Sequence, residues 1–158
     1  MNCKTIIISK KKRKRKKSPR KNLCLLAPDI VLNKLYLNME FEGSCQAKKN
    51  IQKKINSYQS QDKKKKKFNS GTFITFTQLV EKMVASKMHC YYCRYKVKLF
   101  YDYVREPLQW TLDRLDNTQG HGNNNTVIAC LKCNLERRTQ NDKKFLFSKQ
   151  MKIIKKLG

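Results

Sequence analysis

The chain has 158 residues, with 37 lysines and arginines against 11 acidic residues and a formal net charge of +26 at pH 7. This length allows one modest domain with tails, and the excess of positive charge favours a polyanionic partner such as nucleic acid. No segment has the layout of a signal peptide or the length of a membrane span, so we expect no membrane partner and an intracellular, reducing compartment in which cysteines stay as thiols or metal ligands.

The first 22 residues are dominated by an unbroken run of lysine and arginine from Lys10 to Lys17. Like charges at this density repel too strongly to pack, which predicts a disordered basic tail over residues 1–22. Two interpretations stay open for it. It is either a solvated tail that binds nucleic acid without sequence preference or a nuclear-import signal, if the host is eukaryotic.

Residues 23–69 are predicted to form a poorly defined basic region and linker. Pro28 and Asp29 precede scattered apolar residues and indicate one short helix. A second lysine run at residues 63–67 leads into Asn69-Ser70-Gly71, which is typical of a linker. We therefore expect a domain boundary near residue 70.

Beyond that boundary, the sequence predicts a helix and then a hairpin. Thr75 and Gln78 have the spacing of a capping box, and apolar residues follow them at helical intervals. Residues 95–104 and 110–112 are rich in β-formers, which predicts two paired strands with Asp113 following the second. Trp110 and the neighbouring tyrosines are expected in the core rather than stacked on bases.

The remaining segments predict a loop and two further helices. Residues 117–125 are almost wholly turn-forming, and a helix should begin near Leu131. Asn141 is a good cap for a last helix of basic, amphipathic character. The residues that carry this last pattern are Phe145, Leu146, Ser148, Met151 and Ile154.

Two Cys-x-x-Cys pairs, Cys90 with Cys93 and Cys130 with Cys133, predict a structural zinc site. Each pair places two sulfurs on one turn, and two such pairs complete a tetrahedral coordination shell. A site closed by four sulfurs has no open position, so this zinc should hold structure and do no chemistry. The other three cysteines are expected to be ordinary free thiols: Cys3, Cys24 and Cys45.

Several motifs lie in a fixed order around the second pair. They are Leu112-Asp113-Arg114-Leu115-Asp116-Asn117, Gly120-His121, Asn125 to Cys130, and Cys133-Asn134. Over about residues 86–140 these motifs resemble the HNH family of endonucleases. The resemblance implies a small α+β fold in which a ββα-metal finger is stapled by the four-cysteine zinc site and flanked by helices, as a nuclease domain over residues 70–158.

The resemblance also implies a metal-dependent hydrolysis of DNA phosphodiester bonds that leaves a 5′ phosphate and a 3′ hydroxyl. In this chain Asp113 and Asn134 would bind the catalytic Mg²⁺ or Mn²⁺, since oxygen ligands suit these hard cations. Asn125 would have a supporting role as the residue that fixes the loop.

The chain departs from the family pattern at Arg114, where many members have the histidine that activates water. Arginine stays protonated and cannot act as the base. His121 is the candidate base because the ordinary pKa of histidine suits proton transfer near neutrality, and the alternative is a loop histidine that contacts a phosphate or nothing. Asp116 would orient water or ligate the ion, and the alternative for Asp113 and Asp116 is turn formation.

Three interpretations of function follow. The first is the DNA endonuclease, with phosphates gripped by Arg114, Arg137 and Arg138 unless these form only a solvated basic face. The second is a non-catalytic zinc-binding module that binds nucleic acid, for which Arg114 is the best argument. The third is a lysine-rich zinc ribbon on ribosomal RNA, which leaves the Asp113 and Asn134 motifs unexplained.

Overall fold

A computed structural model describes residues 26–151 as a small α+β fold with five helices and one two-stranded antiparallel sheet. The elements are α1 (Pro28–Tyr36), α2 (Ser44–Lys64), α3 (Phe76–Ala85), β1 (Trp110–Arg114), β2 (Thr126–Cys130), α4 (Leu131–Arg137) and α5 (Asp142–Gln150). The predicted tail over residues 1–22, Cys3, Cys24 and Ile154 lie outside the described residues.

Local sequence signals locate the starts of three helices correctly. Pro28 occupies the first turn of α1, where its missing N–H removes no helical hydrogen bond. The side chain of Thr75 accepts from the Gln78 backbone N–H while the Gln78 side chain accepts from Thr75, so the predicted capping box opens α3. Asn141 caps α5 by accepting from two backbone N–H groups.

Helix α2 corrects the prediction of a poorly defined region and linker. It runs for 21 residues and ends inside the lysine run that the sequence assigned to the linker. Ala47, Ile51 and Ile55 form its narrow buried stripe, which is hard to detect among so many lysines and glutamines. This stripe joins a core that includes α3 and β1, so the packing continues across the boundary predicted near residue 70.

Only one of the two predicted strands belongs to the hairpin, since residues 110–112 lie in β1. Residues 95–104 form only isolated bridges, although Val97 and Leu99 are buried as an apolar pattern requires. The sheet pairs β1 with β2, in a register that runs from Trp110 opposite Cys130 to Arg114 opposite Thr126. Asp113 therefore lies within the first strand of the hairpin, opposite Val127, rather than after the second strand.

Aromatic residues divide between core and surface. Trp110 and Tyr92 are buried, as expected, whereas Tyr95 and Tyr103 are exposed.

The last helix has a smaller apolar face than predicted, because Met151 follows its end and is exposed. Within the described part of the chain, no helix combines the length and apolar character needed to cross a bilayer.

Candidate functional site

The four predicted zinc ligands lie together in the structure. The sulfurs of Cys90, Cys93, Cys130 and Cys133 are all within 4.8 Å of one another, and the Cys93 and Cys130 sulfurs are 3.9 Å apart. A tetrahedral ion with zinc–sulfur bonds of about 2.3 Å separates its sulfurs by roughly 3.8 Å. These residues therefore fit a metal ion such as zinc.

Hydrogen bonds within the cluster favour the thiolate form at Cys90 and oppose it at Cys133, whose pKa is raised by its contacts with the Cys130 and Cys90 side chains. The Cys133 N–H donates to the Cys130 sulfur at 3.3 Å. Hydrogen bonds from the Cys130 and Cys133 thiols hold the pKa of Cys90 far below its ordinary value, and the Cys93 backbone N–H adds to this effect. A bound cation takes over this stabilisation of thiolate, the form in which cysteine binds metal.

The cluster connects one loop to the junction of the sheet and α4. Cys130 is the last residue of β2, and its side chain also caps α4. The Tyr91 backbone N–H donates to the Ile128 carbonyl at 2.8 Å, which joins the first cysteine turn to β2. Binding of a metal therefore fixes where α4 lies relative to the hairpin.

Side chains from α2 cover the edge of β1 that has no strand partner. The Lys54 ammonium donates to the Trp110 carbonyl, and the Leu112 N–H donates to the Tyr58 hydroxyl at 3.1 Å. An unpaired strand edge exposes backbone donors and acceptors whose burial without partners is costly. This function of α2 could not be predicted, because its partners lie more than 50 residues away.

Side chains from α4 complete the same edge. Asn134 donates to the Leu112 carbonyl at 3.2 Å and to the Thr111 hydroxyl at 3.1 Å, and Arg137 donates to the Arg114 carbonyl. The amide oxygen of Asn134 accepts no hydrogen bond from the residues that the structure describes. Asn134 thus anchors α4 to β1 with its nitrogen and keeps its oxygen available.

Asp113 forms a buried ion pair with Arg137. Its two oxygens lie 2.6 Å from Nε and 3.0 Å from Nη2 of Arg137, and the Tyr92 hydroxyl donates to it at 2.7 Å. Burial, with the hydrogen bond to Asp113, raises the pKa of Tyr92 far above its ordinary value, so the phenol stays a donor. Both oxygens of Asp113 are therefore engaged.

This ion pair changes the interpretation of two predicted residues. Arg137 is 0% exposed, so it is not available on the helix surface to bind phosphate as expected. The predicted Mg²⁺ or Mn²⁺ site at Asp113 and Asn134 is not ready-made either, because a guanidinium already neutralises the carboxylate. The two residues lie on neighbouring parts of one unit, but they do not fit a divalent ion in this arrangement.

The other predicted arginines have different surroundings. Arg114 is largely buried, donates to the Gln119 carbonyl at 3.2 Å and lies 4.0 Å from a carboxylate oxygen of Asp62. Only Arg138, at the end of α4, is exposed. Of the three arginines proposed to grip phosphate, Arg138 alone is free to do so without rearrangement.

The loop between the strands is held by Asn125 and Asp116. The Asn125 side chain accepts from the Asp116 N–H at 2.9 Å and donates to the Asp116 and Gly120 carbonyls. The Asp116 carboxylate accepts from the Thr118 side chain and backbone, which lowers the pKa of Asp116. Its contacts are those of a turn-forming aspartate.

His121 is buried beside Asp62, a residue to which the sequence assigned no function. Its Nδ1 lies 2.8 Å from one Asp62 oxygen, and its backbone N–H donates to the other at 2.6 Å. Burial lowers the pKa of His121 although the Asp62 hydrogen bond acts in the opposite direction. One feature of the sequence could have drawn attention to Asp62: it is the single acidic residue between Glu42 and Glu81.

A groove of about 500 Å³ lies between α2 and α4. Lys53, Ser57 and Gln61 follow one another along its α2 side at intervals of one helical turn, and Asn134 lines the other side. Arg105 adds a second exposed cation. This arrangement offers positive charge and amide groups to a ligand.

Comparison with protein-family models, curated proteins and solved structures gives no match to the chain. Any functional assignment therefore rests on the motif residues and on the geometry described above.

Proposed function

We propose that the protein is a metal-dependent DNA endonuclease of HNH type. The observation that carries this proposal is the unit formed by the hairpin, α4 and the four cysteines. In this unit Asn134 of α4 lies against β1, Asp113 of β1 pairs with Arg137 of α4, and the loop between the strands supplies an oriented histidine. This arrangement agrees in order and residue type with the motifs that resemble HNH endonucleases.

In the proposed reaction His121 accepts a proton from water through Nε2. The water oxygen then bonds to phosphorus, the bond from phosphorus to the 3′ oxygen breaks, and that oxygen takes a proton from solvent. Burial lowers the pKa of His121, so the imidazole is neutral and able to accept a proton at pH 7. The divalent ion that the resemblance implies has no ready-made site among residues 26–151.

The groove between α2 and α4 is the proposed path of one nucleic-acid strand. Lys53 and Arg105 would contact phosphates there, beside the available oxygen of Asn134. Binding through phosphates releases counterions, so the logarithm of affinity should fall linearly with the logarithm of salt concentration. If the groove were blocked, the rest of the basic surface should still bind DNA, but weakly.

Reversal of charge in the groove should weaken DNA binding. Lys53→Glu and Arg105→Glu should each raise the dissociation constant roughly three- to tenfold near 0.1 M salt and reduce the salt slope by about 1. Fluorescence anisotropy with a labelled duplex at several salt concentrations measures both quantities. Lys87→Glu, in the exposed turn after α3, makes the same change of charge elsewhere. Equal losses for all three variants would contradict a localised binding groove.

The catalytic proposal predicts nicking of supercoiled plasmid by zinc-loaded protein when Mg²⁺ or Mn²⁺ is added. His121→Ala should slow nicking by about 10²- to 10⁴-fold, the usual contribution of a general base. Asn134→Ala should also slow nicking, because it removes the amide group that lines the proposed path of the strand. The matched controls are His89→Ala, at the other histidine of the chain, and Asn124→Ala, at an exposed asparagine of the loop that contains His121.

Each variant must retain zinc and its far-ultraviolet circular dichroism, since a misfolded protein would also be inactive. Full activity of His121→Ala would remove the base while leaving the endonuclease. Absence of nicking by the unaltered protein with every metal would remove the endonuclease itself.

A second candidate is a non-catalytic zinc-binding module that binds nucleic acid. The ion pair between Asp113 and Arg137 favours it, because the carboxylate that the enzyme would need for an ion already serves a structural role. This candidate predicts salt-sensitive DNA binding without nicking, so the plasmid assay separates the two.

A further inference from the structure

We propose that Asp62 is a positioning residue for His121: it fixes the imidazole in the tautomer whose Nε2 can accept a proton. The inference rests on the proposed function and extends it to α2, a helix outside the motifs that resemble HNH endonucleases. Its basis is the two-point contact of one buried carboxylate with both the ring and the backbone of His121.

The contact determines the tautomer. A carboxylate only accepts hydrogen bonds, so the Nδ1 that lies 2.8 Å from Asp62 must carry the proton and donate. In the neutral imidazole Nε2 then holds the lone pair. No side-chain nitrogen or oxygen is both sealed from solvent and unpartnered within residues 26–151, and Nε2 has no partner there, so it reaches solvent.

The loop approaches Asp62 closely enough to require glycine before the histidine. A Cβ atom on Gly120 would lie 2.3 Å from the Lys67 carbonyl oxygen and 2.8 Å from an Asp62 oxygen. The backbone contact from His121 to Asp62 is shorter than most N–H hydrogen bonds to oxygen, at 2.6 Å. Gly120 and Asp62 therefore act together to set the position of the imidazole.

Three other groups face this pair. Arg114, from β1, lies 4.0 Å from Asp62 and lowers the pKa of His121, whereas the Asp113 carboxylate raises it slightly. The Tyr58 ring lies 4.7 Å from the imidazole, on the same helix as Asp62. Burial dominates among these influences, so the histidine is neutral at pH 7 and its tautomer becomes the property that matters.

The variant Asp62→Asn tests the inference because an amide offers one acceptor and one donor where the carboxylate offers two acceptors. The amide oxygen should accept from the fixed backbone N–H of His121, which turns the amide nitrogen toward Nδ1. The imidazole then carries its proton on Nε2, and this nitrogen can no longer accept a proton from water. We expect nicking to slow by about 10²- to 10⁴-fold with zinc content and circular dichroism unchanged.

Nuclear magnetic resonance shows directly which ring nitrogen of each histidine carries the proton. In the unaltered protein the ¹⁵N shifts of His121 should show a proton on Nδ1, and in Asp62→Asn a proton on Nε2. Since Asp62 raises the pKa of His121, its removal should also move the midpoint of the imidazole titration to lower pH. His89→Gln assigns the signals, and Asp29→Asn, at an exposed carboxylate, is the matched control.

A double-mutant cycle shows whether Asp62 acts through the histidine. In a His121→Gln background, Asp62→Asn should change the nicking rate by less than about twofold, because its partner is already gone. An unchanged tautomer, or an undiminished rate in Asp62→Asn, would overturn the inference. If the unaltered protein never nicks DNA, the proposed function fails, and the tautomer measurement still decides whether Asp62 positions His121.

Discussion

Removal of metal from the four-cysteine cluster should unfold the hairpin and α4. Structural zinc contributes on the order of 10 kcal/mol in small domains, which is comparable with the whole stability of a protein of this size. The four sulfurs here join the Tyr91 turn to the end of β2 and the start of α4. Without the ion, the hydrogen bond from Tyr91 to Ile128 would be a much weaker link between the first cysteine turn and β2.

The measurement is circular dichroism and thermal denaturation before and after treatment with a zinc chelator, with zinc content determined on the same samples. Cys133→Ser should reproduce the effect of chelation, since three sulfurs bind the ion far more weakly. Cys45→Ser, at an exposed cysteine of α2, should leave the melting temperature within about 2 °C. A metal-free protein with an unchanged melting transition would refute a structural zinc site.

Replacement of Arg137 by leucine should destabilise the protein by about 3–5 kcal/mol. The substitution leaves the Asp113 carboxylate buried without its cation, and breaking one half of a buried pair carries this cost. It also removes the donor to the Arg114 and Gln140 carbonyls. Urea denaturation gives the free energy of unfolding.

The double variant Asp113→Asn with Arg137→Leu should recover part of this loss, because the uncompensated charge is then absent. Arg138→Leu, at the exposed neighbouring arginine, should change stability by less than about 0.5 kcal/mol and is the matched control. If Arg137→Leu kept its stability but lost DNA affinity, Arg137 would be a surface phosphate contact, as its sequence pattern first indicated.

The parts of the structure that sequence reasoning predicted well are those encoded by neighbours in the chain. The capping box of Thr75 and Gln78 involves residues three positions apart. Each Cys-x-x-Cys pair forms one turn whose two sulfurs point toward a common ion whatever surrounds it. The α+β class, the grouping of the four cysteines and the strand at residues 110–112 could therefore be predicted, whereas the partner of that strand could not.

The strand predicted at residues 95–104 is wrong because a run of β-forming apolar residues indicates burial as well as strand pairing. Val97 and Leu99 are buried, yet the backbone around them makes only isolated bridges. Helix α2 was not predicted because its own sequence pattern is weak. Its apolar stripe is narrow, and its stability comes from packing on β1 and α3, which periodicity within the helix does not reveal.

The chemistry of the candidate site divides in the same way. The resemblance of the motifs to those of HNH endonucleases singled out Asp113 and Asn134, and the ordinary pKa of histidine singled out His121. Their states depend on partners brought from afar: Arg137 comes from 24 residues away to Asp113, and Asp62 from 59 residues away to His121. Such pairs form only when packing of α2 and α4 on the hairpin excludes water around them, so the fold alone decides whether each group is neutralised, oriented or free to react.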